Sequence, residues 1–158
     1  MPKPISDPQS RFWPKVEKTD TCWNWTAATN AYGYGTFGRG SRASGHVLAH
    51  RFSWELARGP IPAGLHIDHQ CHNPACVRPS HLRVVNNKQN HENFKGAFST
   101  SKTGIRGVSW DKRRQLYRAT VTHNYKHVTV GRFATIQEAE EAVIAKRLEL
   151  FTHNLLDR

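Results

Sequence analysis

The stretch His66–Asn93, HIDHQCHNPACVRPSHLRVVNNKQNHEN, decides the fold of this chain because it contains potential metal ligands of two chemical kinds. The hard ligands carry oxygen or imidazole groups and are Asp68, His69 and Asn90. The soft ligands carry thiolate or imidazole groups at intervals of five residues and are Cys71, Cys76 and His81. Oxygen donors suit Mg²⁺, and thiolates suit Zn²⁺. The stretch therefore predicts two metal sites, one for chemistry and one that holds the fold.

The soft ligands predict a zinc knuckle, since Pro74 and Pro79 turn the chain between them. A closed structural zinc site has four ligands, and the remaining cysteine is Cys22, in TDTCWNWTAATNAYGYGTF. Tryptophans and glycines in that segment indicate a short strand and turn that pack back on the knuckle. The alternative is that the thiols are reduced cysteines in the core. Cys22 is far from the other two in sequence, so this alternative stays plausible for Cys22 alone. We expect no disulfide framework, because three cysteines leave one unpaired and no apolar leader marks the chain for secretion.

The hard ligands predict the reactive site. Asp68 and His69 end a short apolar run that begins at Leu65. Adjacent side chains on a strand point to opposite faces, so one can bind a metal ion while its neighbour points at a water molecule. Asn90 follows His69 by 21 residues, inside VVNNKQNHENF, which is typical of the start of a helix. This separation allows the chain to return a helix across the end of the strand.

These residues resemble the HNH nuclease family. In its homing-endonuclease branch Asp-His is followed by Asn-Leu and then Asn, and this chain has Asp68-His69, His81-Leu82 and Asn90 at the same intervals. The upstream AHRFSWELARGPIPAGLHIDH is similar to phage-encoded members. His81 stands where many members have asparagine, and the Cys-x4-Cys-x4-His pattern of the zinc-containing branch accounts for this difference. The resemblance covers about residues 11 to 95.

The resemblance implies a metal-dependent DNA endonuclease with a ββα-metal fold. Hydrolysis of a phosphodiester needs an activated water and a cation that offsets charge on the leaving oxygen. The resemblance makes His69 the general base, and it makes Asp68 and Asn90 ligands of Mg²⁺ or Mn²⁺. It places His50 and Arg51 beside the DNA phosphate, although a basic residue at a helix start is equally typical of a solvated surface. The implied products carry 5′-phosphate and 3′-hydroxyl ends.

The carboxy-terminal third predicts a separate small module. The segment KGAFSTSKTG is rich in small and polar residues and indicates a linker. The next 30 residues, GIRGVSWDKRRQLYRATVTHNYKHVTVGRF, alternate with period two and predict three strands. Thr135 and Glu138 form a predicted capping box at the start of a helix. We therefore expect an α+β protein in which the nuclease domain precedes a three-stranded antiparallel sheet with one helix.

Charge separates the sheet of this module from its helix. Residues 102–134 contain eight Lys or Arg and one acid, whereas residues 135–158 contain three basic and five acidic residues. With Arg-Gly-Val near its start and Gly-Arg-Phe before its helix, the module resembles the apetala-two-type DNA-binding domain, which reads the major groove with its sheet. By position, the resemblance implies DNA contacts from four residues: Arg106, Trp110, Arg114 and Arg118. The alternative for each of them is an ordinary exposed strand residue.

These observations predict the organisation and the partners of the chain. We expect a poorly ordered amino terminus over residues 1–10, a nuclease domain over 11–95, a linker over 96–104 and the DNA-binding domain over 105–158. A formal charge of +11 on 158 residues indicates double-stranded DNA as the partner. No apolar span indicates a membrane, and no small-molecule cofactor is expected. We expect a phage-encoded protein in the cytoplasm of a bacterial host, acting as a monomer or as a DNA-induced dimer.

Three functions are compatible with this sequence. The favoured one is a phage homing endonuclease with a catalytic Mg²⁺ and a structural Zn²⁺. The alternative is a non-catalytic, zinc-stabilised DNA-binding regulator on the same scaffold, against which the open set of hard ligands argues. The third is the same chemistry used for restriction or for nicking during phage packaging. The sequence does not separate homing from that third use.

Overall fold

A computed structural model describes residues 7–40 and 45–157 of the chain. It divides into two compact units, Met1–Asn86 and Asn87–Arg158. The first unit contains helices α1 (Pro8–Phe12) and α2 (Ala49–Arg58) and strands β1 (Val16–Lys18), β2 (Trp23–Trp25), β3 (Thr36–Gly38), β4 (His46–Leu48), β5 (His66–His69) and β6 (Leu82–Val85). The second contains helices α3 (Asn87–Glu92) and α4 (Ile136–Leu150) and strands β7 (Val108–Asp111), β8 (Leu116–His123) and β9 (Lys126–Phe133).

The strands of the first unit pair only as antiparallel two-stranded ladders among the described residues: β1 with β2, β3 with β4, and β5 with β6. Each strand has only three or four residues, so ladder hydrogen bonds alone give little stability. Their core is aromatic. Phe12, Trp25, Phe37 and Phe52 are at most 7% exposed, and the centroids of neighbouring rings lie 4.7–5.9 Å apart. Edge and tilted ring contacts therefore hold the first unit together.

The second unit is a continuous antiparallel sheet in the order β7-β8-β9, covered on one face by α4. The predicted capping box is confirmed: Thr135 Oγ1 accepts from the Glu138 amide at 3.2 Å, and Glu138 Oε2 accepts from the Thr135 amide at 3.1 Å. Ala119 and Val121 on β8 are buried, whereas Arg118 and Thr122 are exposed. The period-two pattern therefore identifies the face of β8 that packs on the helix.

The core of the second unit is aliphatic and closely packed. Val108 and Val121 from the sheet meet Ala139 and Val143 from α4, and each is at most 5% exposed. Small alanines on the helix allow it to approach the sheet closely. A Cβ at Gly107 would lie only 2.5 Å from the Thr120 carbonyl oxygen, so a glycine is required where β7 begins.

The boundary between the units lies earlier in the chain than the predicted linker at 96–104. Glu92 is 3% exposed, and its Oε2 accepts hydrogen bonds from the backbone amides of Thr152 and His153 at 3.0 and 3.2 Å. Asn93 Oδ1 accepts from the amide of Leu155 at 3.3 Å. These buried polar contacts make α3 and the residues after it part of the second unit.

The predicted disordered segment 1–10 differs in part from the structure. Residues 1–6 lie outside the described residues. Asp7 is the N-cap of α1 and its carboxylate accepts from the Ser10 amide at 3.0 Å, so residues 8–10 are helical. The helix forms because Phe12 is completely buried in the aromatic core. In the described part of the chain, none of the helices has the length and apolar character needed to cross a bilayer.

Candidate active site and metal cluster

Three separate segments of the first unit bring the four predicted soft ligands together. Cys22 comes immediately before β2, Cys71 and Cys76 lie in the loop after β5, and His81 ends the 3₁₀ turn before β6. Strand β2 fixes the loop, because the Trp25 amide donates to the Ala75 carbonyl at 2.9 Å and the Val77 amide donates to the Trp23 carbonyl at 2.8 Å. The knuckle therefore folds against β2, where Cys22 is located.

The geometry of this Cys₃His cluster fits a tetrahedral zinc site. Its ligand atoms all lie within 4.8 Å of one another. Cys22 Sγ and Cys76 Sγ each lie 3.7 Å from His81 Nδ1. Tetrahedral zinc with ordinary bond lengths places a sulfur and a nitrogen ligand about 3.6 Å apart. All three cysteines are free, so none is withdrawn into a disulfide.

The electrostatics of the cluster favour a bound cation. Burial, together with the neighbouring Cys76 and Cys22, raises the pKa of the Cys71 thiol to about 12. Burial also raises the pKa of Cys76. Burial and the charge of Arg78 lower the pKa of His81, so its imidazole is neutral and available as a ligand. Ionising three neighbouring thiols thus costs free energy unless a cation is bound between them, and a zinc ion would supply that charge.

The hard ligands Asp68 and His69 lie at the end of β5 and are buried, at 8% and 6% exposure. The antiparallel register places Asp68 opposite Arg83 on β6. Arg83 donates to Asp68 Oδ2 from both Nε and Nη2 at 2.8 Å, which fixes the carboxylate in one orientation. The sequence interpretation did not identify Arg83. The signal that could have found Arg83 is its positive charge, which suits a position opposite Asp68 on a paired strand.

His69 is oriented by the knuckle. Its Nε2 lies 2.9 Å from the backbone carbonyl oxygen of Cys76. Because a carbonyl only accepts, this nitrogen carries the proton, and Nδ1 holds the lone pair of the neutral ring. Burial lowers the pKa of His69 below 6.5, against the opposing effects of the Cys76 hydrogen bond and Asp68. The ring is therefore neutral at physiological pH.

The structure buries His50 beside His69, and its role as a DNA contact stays a prediction. Its ring centroid lies 4.6 Å from that of His69 in an edge arrangement, and only 4% of the residue is exposed. Burial, with the charges of His69 and Arg51, lowers its pKa to about 3. The His50 ring is thus neutral and packs against the ring of His69. Its neighbour Arg51 is half-buried on the first turn of α2.

Tyr34 completes this ring cluster, and the sequence interpretation did not identify it. Its centroid lies 5.5 Å from His50 and 5.8 Å from His69. Asn30 Oδ1 accepts from the Tyr34 amide at 3.0 Å, and Gly35 fits against Trp25 only because it has no Cβ. The Tyr-Gly-Tyr-Gly segment was a signal of this close packing.

Asn90, the third predicted hard residue, lies on α3 in the second unit. Its role as a metal ligand stays a prediction. Arg106, a predicted DNA contact, has hydrogen bonds within the second unit. Its guanidinium donates to the backbone carbonyls of His91, Glu92 and Phe94 at 2.8–3.1 Å. These hydrogen bonds secure the end of α3, and the DNA contact of Arg106 stays a prediction.

The other predicted DNA contacts divide between the two faces of the sheet. Trp110 pairs with Tyr117, which alternates in step with the buried Ala119, so Trp110 belongs to the helix-facing side. Arg118 is on the opposite, exposed side, where it pairs with Arg132. Arg114 and Arg132 both lie 3.5 Å from Asp111 Oδ2. The exposed face therefore carries Arg132 as an additional cation, while Trp110 does not belong to that face.

Comparison with known proteins identifies an HNH segment. Residues 47–92 match the family model described as HNH endonuclease. Protein 3.8 of Escherichia phage T7 is 41% identical over 78 residues, which cover 46% of this chain and 64% of that protein. The uncharacterized gene 5.3 protein of Enterobacteria phage T3 is 41% identical over 59 residues, which cover 35% of this chain and 58% of that protein.

A third relative extends the similarity along the chain. The uncharacterized HNH endonuclease L560 of Acanthamoeba polyphaga mimivirus is 28% identical over 118 residues, which cover 73% of this chain and 57% of that protein. The chain spans less than two thirds of the length of each of these three relatives. No solved structure matches the chain at a significant level. The segment that carries Asp68, His69 and Asn90 is thus similar to HNH endonucleases.

Proposed function

We propose that this chain is a metal-dependent HNH endonuclease that hydrolyses the phosphodiester backbone of double-stranded DNA. The observation that carries the proposal is the orientation of His69. Its Nε2 donates a hydrogen bond to the Cys76 carbonyl oxygen at 2.9 Å, so the lone pair of the neutral ring is on Nδ1. The match of residues 47–92 to the HNH endonuclease family supports the same reaction.

The chain supplies a base and a fixed carboxylate for this reaction. His69 takes a proton from a water molecule onto Nδ1, and the hydroxide attacks phosphorus. The P–O3′ bond breaks, solvent protonates the leaving oxygen, and the products are a 5′-phosphate and a 3′-hydroxyl. Asp68 presents an oxygen donor that suits Mg²⁺ or Mn²⁺, and Arg83 keeps it oriented. The bound ion supplies positive charge at the phosphate. Asn90 is its second proposed ligand, by resemblance to the family.

The Cys₃His cluster has a different proposed role, as a closed structural zinc site. Four protein ligands leave no position for a substrate, so zinc at this site does not take part in hydrolysis. The cluster contributes to the reaction by holding the loop whose Cys76 carbonyl orients His69. Cys76 thus links the two sites through its thiol and its carbonyl.

DNA binding is proposed for the exposed face of the second unit's sheet. Arg118 and Arg132 are paired across that face, and Arg114 lies at its end. Arginines on a sheet bind phosphates and guanine edges. An apetala-two-type role and a homing function are further proposals, made by resemblance, and the similarity to phage proteins supports a phage-encoded protein. Since a monomer carries one base, we expect nicking or two sequential cuts unless two chains pair on DNA.

Cleavage of supercoiled plasmid, with and without added Mg²⁺, tests the proposal. We expect His69→Ala to reduce the rate about 10²- to 10⁴-fold, the range of general-base catalysis, while DNA binding is retained. His66→Ala is the matched control because His66 is exposed on the same strand. Tight DNA binding without cleavage under any divalent metal would favour the DNA-binding regulator instead. An unchanged rate in His69→Ala would refute the assigned base.

A further inference from the structure

A cavity of about 510 Å³ lies within the second unit and has no part in the proposed hydrolysis. Its walls come from α3 and the segment after it, from the first residues of β7, from the hairpin between β8 and β9 and from the end of α4. This volume is in the range of sites that hold small organic groups.

Exposed aromatic residues line the cavity. Phe94, Phe98 and Tyr125 are 44%, 69% and 80% exposed. The rings of Phe94 and Phe98 are stacked, with centroids 5.3 Å apart and planes inclined by 29°. Clustered exposed aromatic surface marks an interaction site. Flat rings of this kind bind nucleobases by stacking, and every base has the matching flat face.

Polar groups with capacity for a ligand lie against the same cavity. His123 Nδ1 is buried and has no hydrogen-bond partner among the described residues. It lies 4.0 Å from Glu92 Oε1, which in turn is 2.8 Å from Lys88 Nζ. Unpaired buried polar atoms indicate a partner outside the chain. Nucleobase edges carry both N–H donors and ring-nitrogen acceptors, which a histidine and a carboxylate can bind.

Two residues of the sheet face that we propose for DNA also line the cavity. Thr122 and His127 line it and are paired across β8 and β9, with exposed side chains. Arg118 and Arg132 form another pair on that face. Arg118 precedes Thr122 on β8 by four residues, which is about 13 Å by strand geometry. A strand of DNA held by the arginines therefore passes within reach of the cavity.

We propose that this cavity binds one nucleobase unstacked from DNA that lies across the exposed sheet face. The inference rests on the proposed function only for the presence of DNA on that face. Stacking on the Phe94–Phe98 pair and hydrogen bonds to His123 and Glu92 offset the cost of unstacking, which is smallest for a base without a pairing partner. The second unit thus recognises DNA that contains an unpaired base in preference to fully paired DNA.

Three duplexes of equal length test this inference: one fully paired, one with a single bulged 2-aminopurine, and one with an abasic bulge. The full chain binds them without added Mg²⁺, and fluorescence anisotropy gives each Kd. We expect the base-containing bulge to bind about 10- to 100-fold more tightly than the abasic bulge, with a change in 2-aminopurine emission. Phe98→Ala should remove this preference, and since Phe98 is largely exposed the variant should fold.

Leu148→Ala is the matched control, because Leu148 is 42% exposed on α4 and does not line the cavity. It should retain the preference. The inference would be overturned by equal Kd values for the two bulges, or by a preference that survives both Phe98→Ala and Tyr125→Ala. Binding to the fully paired duplex would still leave the proposed function standing. Binding to none of the duplexes would overturn DNA binding by this chain, and the inference with it.

Discussion

The two units are stabilised in different ways. Strands in the first unit have three or four residues and form separate ladders, so its stability depends on an aromatic core and on the Cys₃His cluster. Strands in the second unit reach eight residues and form one sheet, which a capped 15-residue helix covers with an aliphatic core. Short ladders are marginal by themselves. We therefore propose that the first unit depends on a zinc cross-link, whereas the second is stabilised by its continuous sheet and aliphatic core.

The change with the largest expected effect on stability is removal of one proposed zinc ligand from the first unit. We expect Cys22→Ser to lose zinc and the cooperative melting of the first unit, because structural zinc contributes roughly 10–16 kcal/mol of binding free energy in small domains. Cys22 is only half-buried, so little packing is lost with it. Metal analysis and tryptophan fluorescence measure the effect, since four of the five tryptophans lie in the first unit. Unchanged melting with full zinc loss would contradict the comparison.

A buried ion pair provides the corresponding test for the second unit. Arg147 is 7% exposed, pairs with Asp157 through two nitrogens and donates to the Arg106 carbonyl at 2.8 Å. Arg147→Gln leaves the carboxylate unpaired, so the free energy of unfolding of this unit should fall by about 3–5 kcal/mol. Circular dichroism of helix α4 during denaturation measures it. If the first unit's tryptophan transition shifts equally, the units are not energetically distinct.

Acid should weaken the second unit through Glu92. Burial alone would raise the pKa of this carboxyl, but hydrogen bonds from Lys88 and from the amides of Thr152 and His153 outweigh it and lower the pKa below 4.5. The stabilisation is therefore fully present above pH 4.5 and is lost as the pH falls through the lower, folded-state pKa. We expect Glu92→Ala to cost about 1–3 kcal/mol at neutral pH, because buried amides lose their acceptor.

Denaturation of the wild type and of Glu92→Gln between neutral and acidic pH isolates this contribution. Glu92→Gln keeps an acceptor oxygen but does not titrate, so its stability should depend less steeply on pH below 4.5. Identical pH dependence in the two proteins would show that Glu92 is not the titrating group.

The ion pair of the first unit is tested through the cleavage rate, with the smallest expected effect of the four changes. Arg83 orients Asp68 through two 2.8 Å contacts, so Arg83→Gln should lower the cleavage rate about 10- to 100-fold while zinc content is unchanged. Arg39→Gln is the matched control, because Arg39 pairs with Glu55 on the surface. A wild-type rate in Arg83→Gln would mean that Asp68 needs no such orientation.

The sequence predicted features that depend on local spacing. Cys71, Cys76 and His81 recur every five residues, and Thr135 with Glu138 forms a capping box, because such contacts are set within a few residues. It could not predict that His50 is buried against His69 or that Arg106 donates to the end of α3. These contacts depend on how distant segments pack, and the residue type of a histidine or an arginine fits a surface role equally well.

The register of the strand pairs in the second unit decides which of the predicted DNA contacts share a face of the sheet. Trp110 and Arg118 are close in sequence and were assigned together, but pairing with Tyr117 and Ser109 places them on opposite faces of the sheet. Arg132 reaches the exposed face because a register shift at Ala119 and Thr120 brings it opposite Arg118. The position of such a bulge is decided by sheet packing, which the alternating pattern alone does not specify.

We propose that the structural zinc of the first unit is bound separately from the ion that Asp68 binds for hydrolysis. Zinc content and plasmid cleavage measured on the same preparation of Asp68→Ala test it most directly. We predict one zinc ion per chain, melting that stays cooperative and no Mg²⁺-dependent cleavage, because Asp68 lies outside the Cys₃His cluster. Loss of zinc together with cleavage would contradict the claim, since a single shared metal site would then serve both roles.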